Sequence, residues 1–276
     1  MIVADDLGKL RDARAAFERV AFVPTMGALH AGHRALLRQA RELGDTVFAS
    51  IFVNPRQFGP GEDLDRYPRA LEADLAVCEA EGVDVVFVPT TEMIYPREPV
   101  VTVSSGAMGT IVEGAARPGH FDGMLTVVLK LFHLVGPDIA LFGEKDAQQL
   151  AMIRRMVADL NLPISIVGVP TVREPDGLAL SSRNRYLSPS DRAVALALSR
   201  ALRAGTEAAP DPAEVVRLAR AVLEAEEKLE LDYLVLVDPA TFTEVGPGFA
   251  GTAVLAAAGR VGATHLIDNM HVRLGG

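Results

Sequence analysis

The chain has 276 residues, 49% of them hydrophobic and 23% charged; this allows a sizeable core near the length where one core gives way to two, and excludes a disordered chain. The formal net charge of −9 leaves no surplus of Lys and Arg to neutralise a nucleic-acid backbone or an anionic membrane surface, so neither is an expected partner. A single cysteine, Cys78, excludes an intrachain disulfide and a multi-cysteine metal site, and it fits a reducing compartment. The first residues are charged from Asp5 onward and no window approaches the roughly 20 apolar residues of a membrane span, so a cytoplasmic protein is expected.

Along the first half, short apolar runs alternate with amphipathic stretches: 20–24, then 31–42, 47–53, 70–81 and 83–88. This βαβαβ order builds a mainly parallel sheet with helices on both faces, and uninterrupted apolar runs suit strands buried on both sides. Residues 54–68 carry three prolines and two glycines and predict a long ordered loop, a place where function often resides. Residues 91–118 are irregular, with a strand candidate at 100–103, and are expected to form a wall or an interface. The alternation resumes with a helix at 124–134, a strand at 139–142, a helix at 148–160 and a strand at 164–169. A doubly wound, Rossmann-like α/β domain is therefore expected over 1–171. Beyond the turn-rich 173–177, alanine-rich helices at about 189–205 and 211–228 precede short strand candidates at 233–237, 253–258 and 265–268. These predict a smaller α+β domain over 172–276.

The stretch VPTMGALHAGH, residues 23–33, runs from a buried strand through a glycine-containing turn into a helix. In open α/β sheets ligands sit at the carboxyl ends of strands, where a helix N-terminus offers N–H groups and a positive dipole end to phosphate. His30 and His33 are three apart and share a helical face if the helix starts that early. A lone histidine there more often packs or caps the helix. Two of them, set around a small residue and Gly32, resemble the HIGH-type signature of the nucleotidylyltransferase superfamily. Zinc is a second reading of the pair, but no third ligand is obvious. Gly143, Glu144, Lys145, Asp146 and Gln149 follow the 139–142 strand in the same geometry: Lys145 can reach a triphosphate, Asp146 can cap the helix and Gln149 can point an amide into a cleft. Ser181, Ser182 and Arg183 place two hydroxyls beside a guanidinium, a compact oxyanion-binding set that reads equally well as an ordinary helix start. Gln57 can recognise a hydroxyl or carboxylate without adding charge.

Five motifs in this order, VPTMGALHAGH, SIFVNPRQFGPGEDLDRYPR, RPGHFDGMLTVVLKL, FGEKDAQQL and REPDGLALSSRNRYLS, resemble those of the pantothenate synthetase (pantoate–β-alanine ligase) family. The likeness covers residues 20–190 almost continuously and extends more weakly through LDYLVLVD and HLIDN. It implies a ligase of pantothenate biosynthesis: pantoate and ATP give pantoyl adenylate and pyrophosphate, and β-alanine then displaces AMP. It also implies that Pro24, Thr25, Met26, Gly27, Ala28, Leu29, His30, Ala31, Gly32 and His33 line the nucleotide, with His33 as proton donor. By the same resemblance Gly143, Glu144, Lys145, Asp146, Val172, Leu180, Ser181, Ser182 and Arg183 surround ATP, and the second domain closes over it. Gln57 is implied for pantoate and β-alanine, and Gln149 for pantoate. The catalytic set is expected to be His30, His33, Lys145 and Arg183, with Mg²⁺ sharing the triphosphate charge, Asp74 as an outer group near that metal, and a homodimer as the assembly.

The chemistry of the residues agrees with this. Pantoate is ionised at neutral pH, so its attack on the α-phosphate needs alignment and charge neutralisation and no enzyme nucleophile. The amine must lose a proton in the second step, and His33, the adenylate phosphate and water are all open as its acceptor. Leu180 stands where the family has Met, a volume-conserving change, and the lead before VPTMG is short, which implies a trimmed first helix. A nucleotidylyltransferase that stops at the activated product and a non-catalytic nucleotide-binding module are the alternative readings.

Overall fold

The computed structural model describes residues 1–275, which group into two compact units: 1–144 with 152–170, and 145–151 with 171–275. The segment Lys145–Ala151, expected within the first domain, thus groups with the C-terminal unit.

The first unit runs β1 (Ile2–Ala4), α1 (Leu7–Ala15), β2 (Val20–Thr25), α2 (Ala31–Leu43), β3 (Thr46–Ile51), α3 (Leu71–Ala80), β4 (Val85–Phe87), α4 (Thr91–Ile94), α5 (Glu113–Ala116), α6 (His120–Val135), β5 (Ile139–Gly143), α7 (Ala147–Asp159) and β6 (Ser165–Val169). The grouping divides α7, its first residues falling in the second unit. The six strands form one sheet in the order β1-β4-β3-β2-β5-β6, every pair parallel, as the uninterrupted apolar runs require. Val20, Ala21, Phe22 and Val23 of β2 are wholly buried at its centre, with Leu37 and Ala40 of α2 packed on one face. The Rossmann-like expectation therefore holds for this unit.

Three readings need correction. β1 was not anticipated, because three residues are too few to show a period. No strand forms at 100–103: the Val103 amide donates to Thr126 Oγ1 at 3.0 Å, a side-chain partner in place of a ladder, and Val100 and Val101 are 98% and 87% exposed. Helix α6 begins at His120, a turn earlier than the expected residue 124, because Gly123 lies inside the helix and marks no break.

The second unit contains α8 (Pro189–Glu207), α9 (Pro212–Glu224) and the antiparallel meander β7 (Leu229–Val237), β8 (Gly251–Val261) and β9 (Thr264–Leu274). Ser188 caps α8 by accepting the Asp191 amide, and Asp211 caps α9 by accepting that of Ala213. Leu198, Leu202, Val215 and Leu223 of the helices pack against Leu234, Leu255, Leu266 and Val272 of the sheet, which makes this an α+β unit with its own core. The three strands are longer than expected, since Asp232 of β7, Gly251 and Gly259 of β8 and Asn269 of β9 are residue types depleted in strands.

Candidate active site

In the parallel sheet β2 leads to β3 on one side, while β5 flanks β2 on the other and leads on to β6. The direction of winding reverses between β2 and β5, and a crevice opens outside the carboxyl ends of strands at such a switch point. Residues 26–29 leave β2 at that end, and the 3-10 turn Glu144–Asp146 leaves β5.

Thr25 Oγ1 donates to the Ser50 carbonyl at 2.7 Å and accepts from the Gly27 amide at 3.2 Å. Gly27 has φ +83°, a backbone conformation natural to glycine, and a Cβ there would stand 2.8 Å from Asp74 Oδ2. Asp74, in the first turn of α3 and 3% exposed, accepts from the amides of Ala28 (2.9 Å) and Leu29 (2.7 Å). Its two oxygens hold the turn in shape. This bond also takes up amides that the sequence reading offered to phosphate.

His30 is the N-cap of α2 and His33 its third residue, and together they form a reciprocal capping box. His30 Nδ1 accepts from the Gly32 amide at 3.1 Å, and His33 Nδ1 accepts from the His30 amide at 3.3 Å. A backbone N–H can only donate, so Nδ1 is the acceptor in each ring and a neutral ring carries its proton on Nε2. The ring centroids are 4.2 Å apart and tilted by 43°. Burial, helped by repulsion from His30, pushes the His33 pKa down to about 3, so at neutral pH this ring is an uncharged N–H donor. The helix start therefore presents imidazole N–H groups, while the amides of residues 28, 29, 30 and 32 are occupied within the protein.

Gln57 lies in the 3-10 turn Pro55–Gln57. Asn54 Nδ2 donates to Gln57 Oε1 at 3.0 Å and to the Gly123 carbonyl at 3.1 Å, and Gln57 Nε2 faces Met26 Sδ at 3.2 Å. The side-chain amide of Gln57 is thereby oriented toward the turn that follows β2. The backbone carbonyl of Gln57 lies 2.8 Å from His120 Nδ1 and accepts from Arg117 Nη2 at 3.3 Å. Arg117 also forks onto Glu62 at 2.6 and 2.8 Å; burial raises the Glu62 pKa, but the guanidinium more than offsets it and holds the carboxyl below its ordinary value. Asn54, Arg117 and His120 were seen in the sequence only as parts of motifs, and nothing local revealed that they converge on Gln57.

In the second unit the Leu180 amide donates to the Val172 carbonyl at 3.0 Å, and Arg173 pairs with Ala179 across a turn at Gly177. This brings Val172 next to Leu180 and leads into Ser181, whose Oγ accepts from the Arg183 amide at 3.2 Å as the 3-10 turn Ser182–Tyr186 begins. Ser181, Ser182 and Arg183 are half-buried, as are Lys145 and Asp146 after β5 and Gln149 in the first turn of α7. Among the described residues, no three His, Cys, Asp or Glu side chains cluster closely enough to hold a metal ion, so the zinc reading of the histidine pair has no ligand set.

A Rossmann-like sheet with a paired-imidazole turn at its switch point defines a nucleotide-handling α/β enzyme. The model of the pantoate-beta-alanine ligase family matches residues 3–271, and the chain belongs to that family. It is 60% identical over 279 aligned residues to the pantothenate synthetase of Acidothermus cellulolyticus, covering 99% of this chain and 92% of that one. It is 56% identical to the pantothenate synthetase of Thermobifida fusca, covering 99% and 96%. The crystal structure of pantothenate synthetase from Thermus thermophilus superposes with a TM-score of 0.93 at 50% identity, covering 98% of this chain and 99% of that one. The Francisella tularensis pantoate-beta-alanine ligase, solved with a βγ-ATP compound and β-alanine, superposes at 0.81 with 35% identity, covering 98% and 97%. The chain is accordingly an ATP-dependent ligase that forms pantothenate.

Proposed function

We propose that the chain joins pantoate to β-alanine through a pantoyl-adenylate intermediate, with the residue roles that follow. The observation that carries this reading is the His30–His33 box at the switch point, in which both Nδ1 atoms accept from backbone amides, so that a neutral ring carries its proton on Nε2. A pantoate carboxylate oxygen attacks the α-phosphorus, the bond from that phosphorus to the β-phosphate bridge breaks, and pyrophosphate leaves. Nε2–H of His30 and His33, the ammonium of Lys145, the hydroxyls of Ser181 and Ser182 and the Arg183 guanidinium stabilise charge on the phosphates. Lys145 acts as a point charge, Arg183 as a planar fork. Mg²⁺, if bound, would share the phosphate charge, with Asp74, which holds the turn, as an outer group near it.

In the second step the amine nitrogen of β-alanine attacks the acyl carbon, the bond to the bridging oxygen breaks and AMP leaves, while the nitrogen gives up one proton. A ring whose pKa lies near 3 is a poor acceptor for it, so the departing phosphate or water takes the proton in preference to His33. Gln57, oriented by Asn54, addresses pantoate and β-alanine, and Gln149 addresses pantoate. The test is the product set: sustained release of AMP and pyrophosphate requires both pantoate and β-alanine, and omission of the amine leaves pantoyl adenylate to be trapped. Formation of ADP would overturn the reading.

The assembly we propose is a homodimer, supported by the adjacent exposed side chains of Val100 and Val101, which a second copy would cover. Light scattering that returns the mass of one chain would contradict it. The reaction is placed in the cytoplasm, which supplies ATP and keeps the lone thiol of Cys78 reduced.

A further inference from the structure

The motif HLIDN at 265–269 contributes none of the proposed substrate contacts itself, yet it places two polar side chains in the interior: Asp268 and Asn269 of β9 are 4% and 6% exposed. Consecutive strand residues point to opposite faces. Asp268 shares the parity of Leu266, Val272 and Leu274, which belong to the core formed with α8 and α9. Its carboxylate accepts both ends of the Arg173 guanidinium, at 2.7 and 2.9 Å. Arg173 also donates to the Gly177 carbonyl and the Asn269 carbonyl, each at 3.1 Å, and so ties the turn that precedes Ser181 to β9. On the other face, Asn269 Nδ2 donates to the carbonyl of Lys145 at 2.8 Å, across 124 residues of chain.

A buried amide costs stability unless it is hydrogen-bonded, and an apolar side chain would fill this strand position without that demand. The carbonyl it holds is that of the residue whose ammonium the proposed mechanism sets against the triphosphate. The Lys145 side chain is a flexible four-carbon stem, so its reach is set by the orientation of its root. Asn269 fixes that root, while its own carbonyl, held by Arg173, shares the anchor with the segment leading to Ser181, Ser182 and Arg183.

We propose that Asn269 is a positioning residue for adenylation, acting through the backbone of Lys145, with Asp268 and Arg173 making the anchor rigid. The proposal rests on the reading of Lys145 as a phosphate-contacting group. A misplacement of about 1 Å can cost on the order of a hundredfold in rate, so Asn269→Ala is expected to lower kcat for pantoate-dependent pyrophosphate release by on the order of tenfold or more, with KM for pantoate unchanged.

The test is a double-mutant cycle with Lys145→Ala on the full chain, with a thermal melt of each variant so that rates are read on folded protein. If Asn269 acts through Lys145, Asn269→Ala slows the wild-type background and adds nothing in the Lys145→Ala background. A role in the fold alone would slow both backgrounds by the same factor, and that outcome overturns the proposal, as does wild-type turnover of Asn269→Ala. Asn269→Asp, which keeps the shape but sets an acceptor against the carbonyl, is expected to lose at least as much and carries the cycle if the alanine variant does not fold. Wild-type turnover of Lys145→Ala would instead remove the assignment of Lys145 itself, and the positioning role with it.

Discussion

In the proposed mechanism His33 is an uncharged donor: burial and the neighbouring His30 lower its pKa, and its Nδ1 is taken by the His30 amide. His33→Ala is expected to lower the adenylation rate by on the order of tenfold or more with the fold retained, read as the burst of pyrophosphate when β-alanine is withheld. Wild-type bursts would refute the role. The same ring links stability to pH. Its folded pKa, about 3, lies below the roughly 6.5 of an unfolded histidine, so between these values the unfolded chain holds the extra proton. The contribution is full above about pH 6.5 and is lost as pH falls toward 3. Between pH 7 and pH 5, His33→Ala should therefore lose less stability than the parent, measured by urea midpoints at both values; equal losses would contradict the assignment. The histidine pair and its spacing could be read from the sequence, but the direction of the Nδ1 atoms could not, because it follows from where the helix begins. The partners of Asp74, His120 and Asn269 could not be read for another reason: they lie 46, 63 and 124 residues away.

Helix α6 and the turn Pro55–Gln57 meet so closely that a Cβ on Gly123 would collide with the Arg56 carbonyl and the Gln57 amide. Gly123→Ala must push the two elements apart, and with them the amide that Asn54 orients through the Gly123 carbonyl. The expected cost is about 1–3 kcal/mol of stability in urea unfolding, with KM for pantoate raised more than KM for ATP. A variant with parent-like stability and KM values would show that the contact does not set the Gln57 position. In the sequence this helix start looked like loop, since glycine and proline mark turns wherever no close approach explains them. The inner strands β2, β3, β4 and β5 were legible because both of their faces are buried. A run of valines at 100–103 carried the same local signal without a neighbouring strand to complete it.

The whole molecule joins a parallel α/β sheet, whose order placed the site, to an α+β unit whose helices were legible and whose strands were drawn too short. The motif order that pointed to the family runs over residues 20–190 and more weakly beyond, which single motifs could not have done, and the match over residues 3–271 agrees with it. The central claim is that a carboxylate oxygen of pantoate bonds to the α-phosphorus and leaves with AMP. Pantoate labelled with heavy oxygen in its carboxylate, supplied with ATP and β-alanine, tests this directly by mass spectrometry of the AMP produced. The mechanism predicts AMP that carries one labelled oxygen; unlabelled AMP, with the label in pyrophosphate or retained wholly in pantothenate, would contradict it.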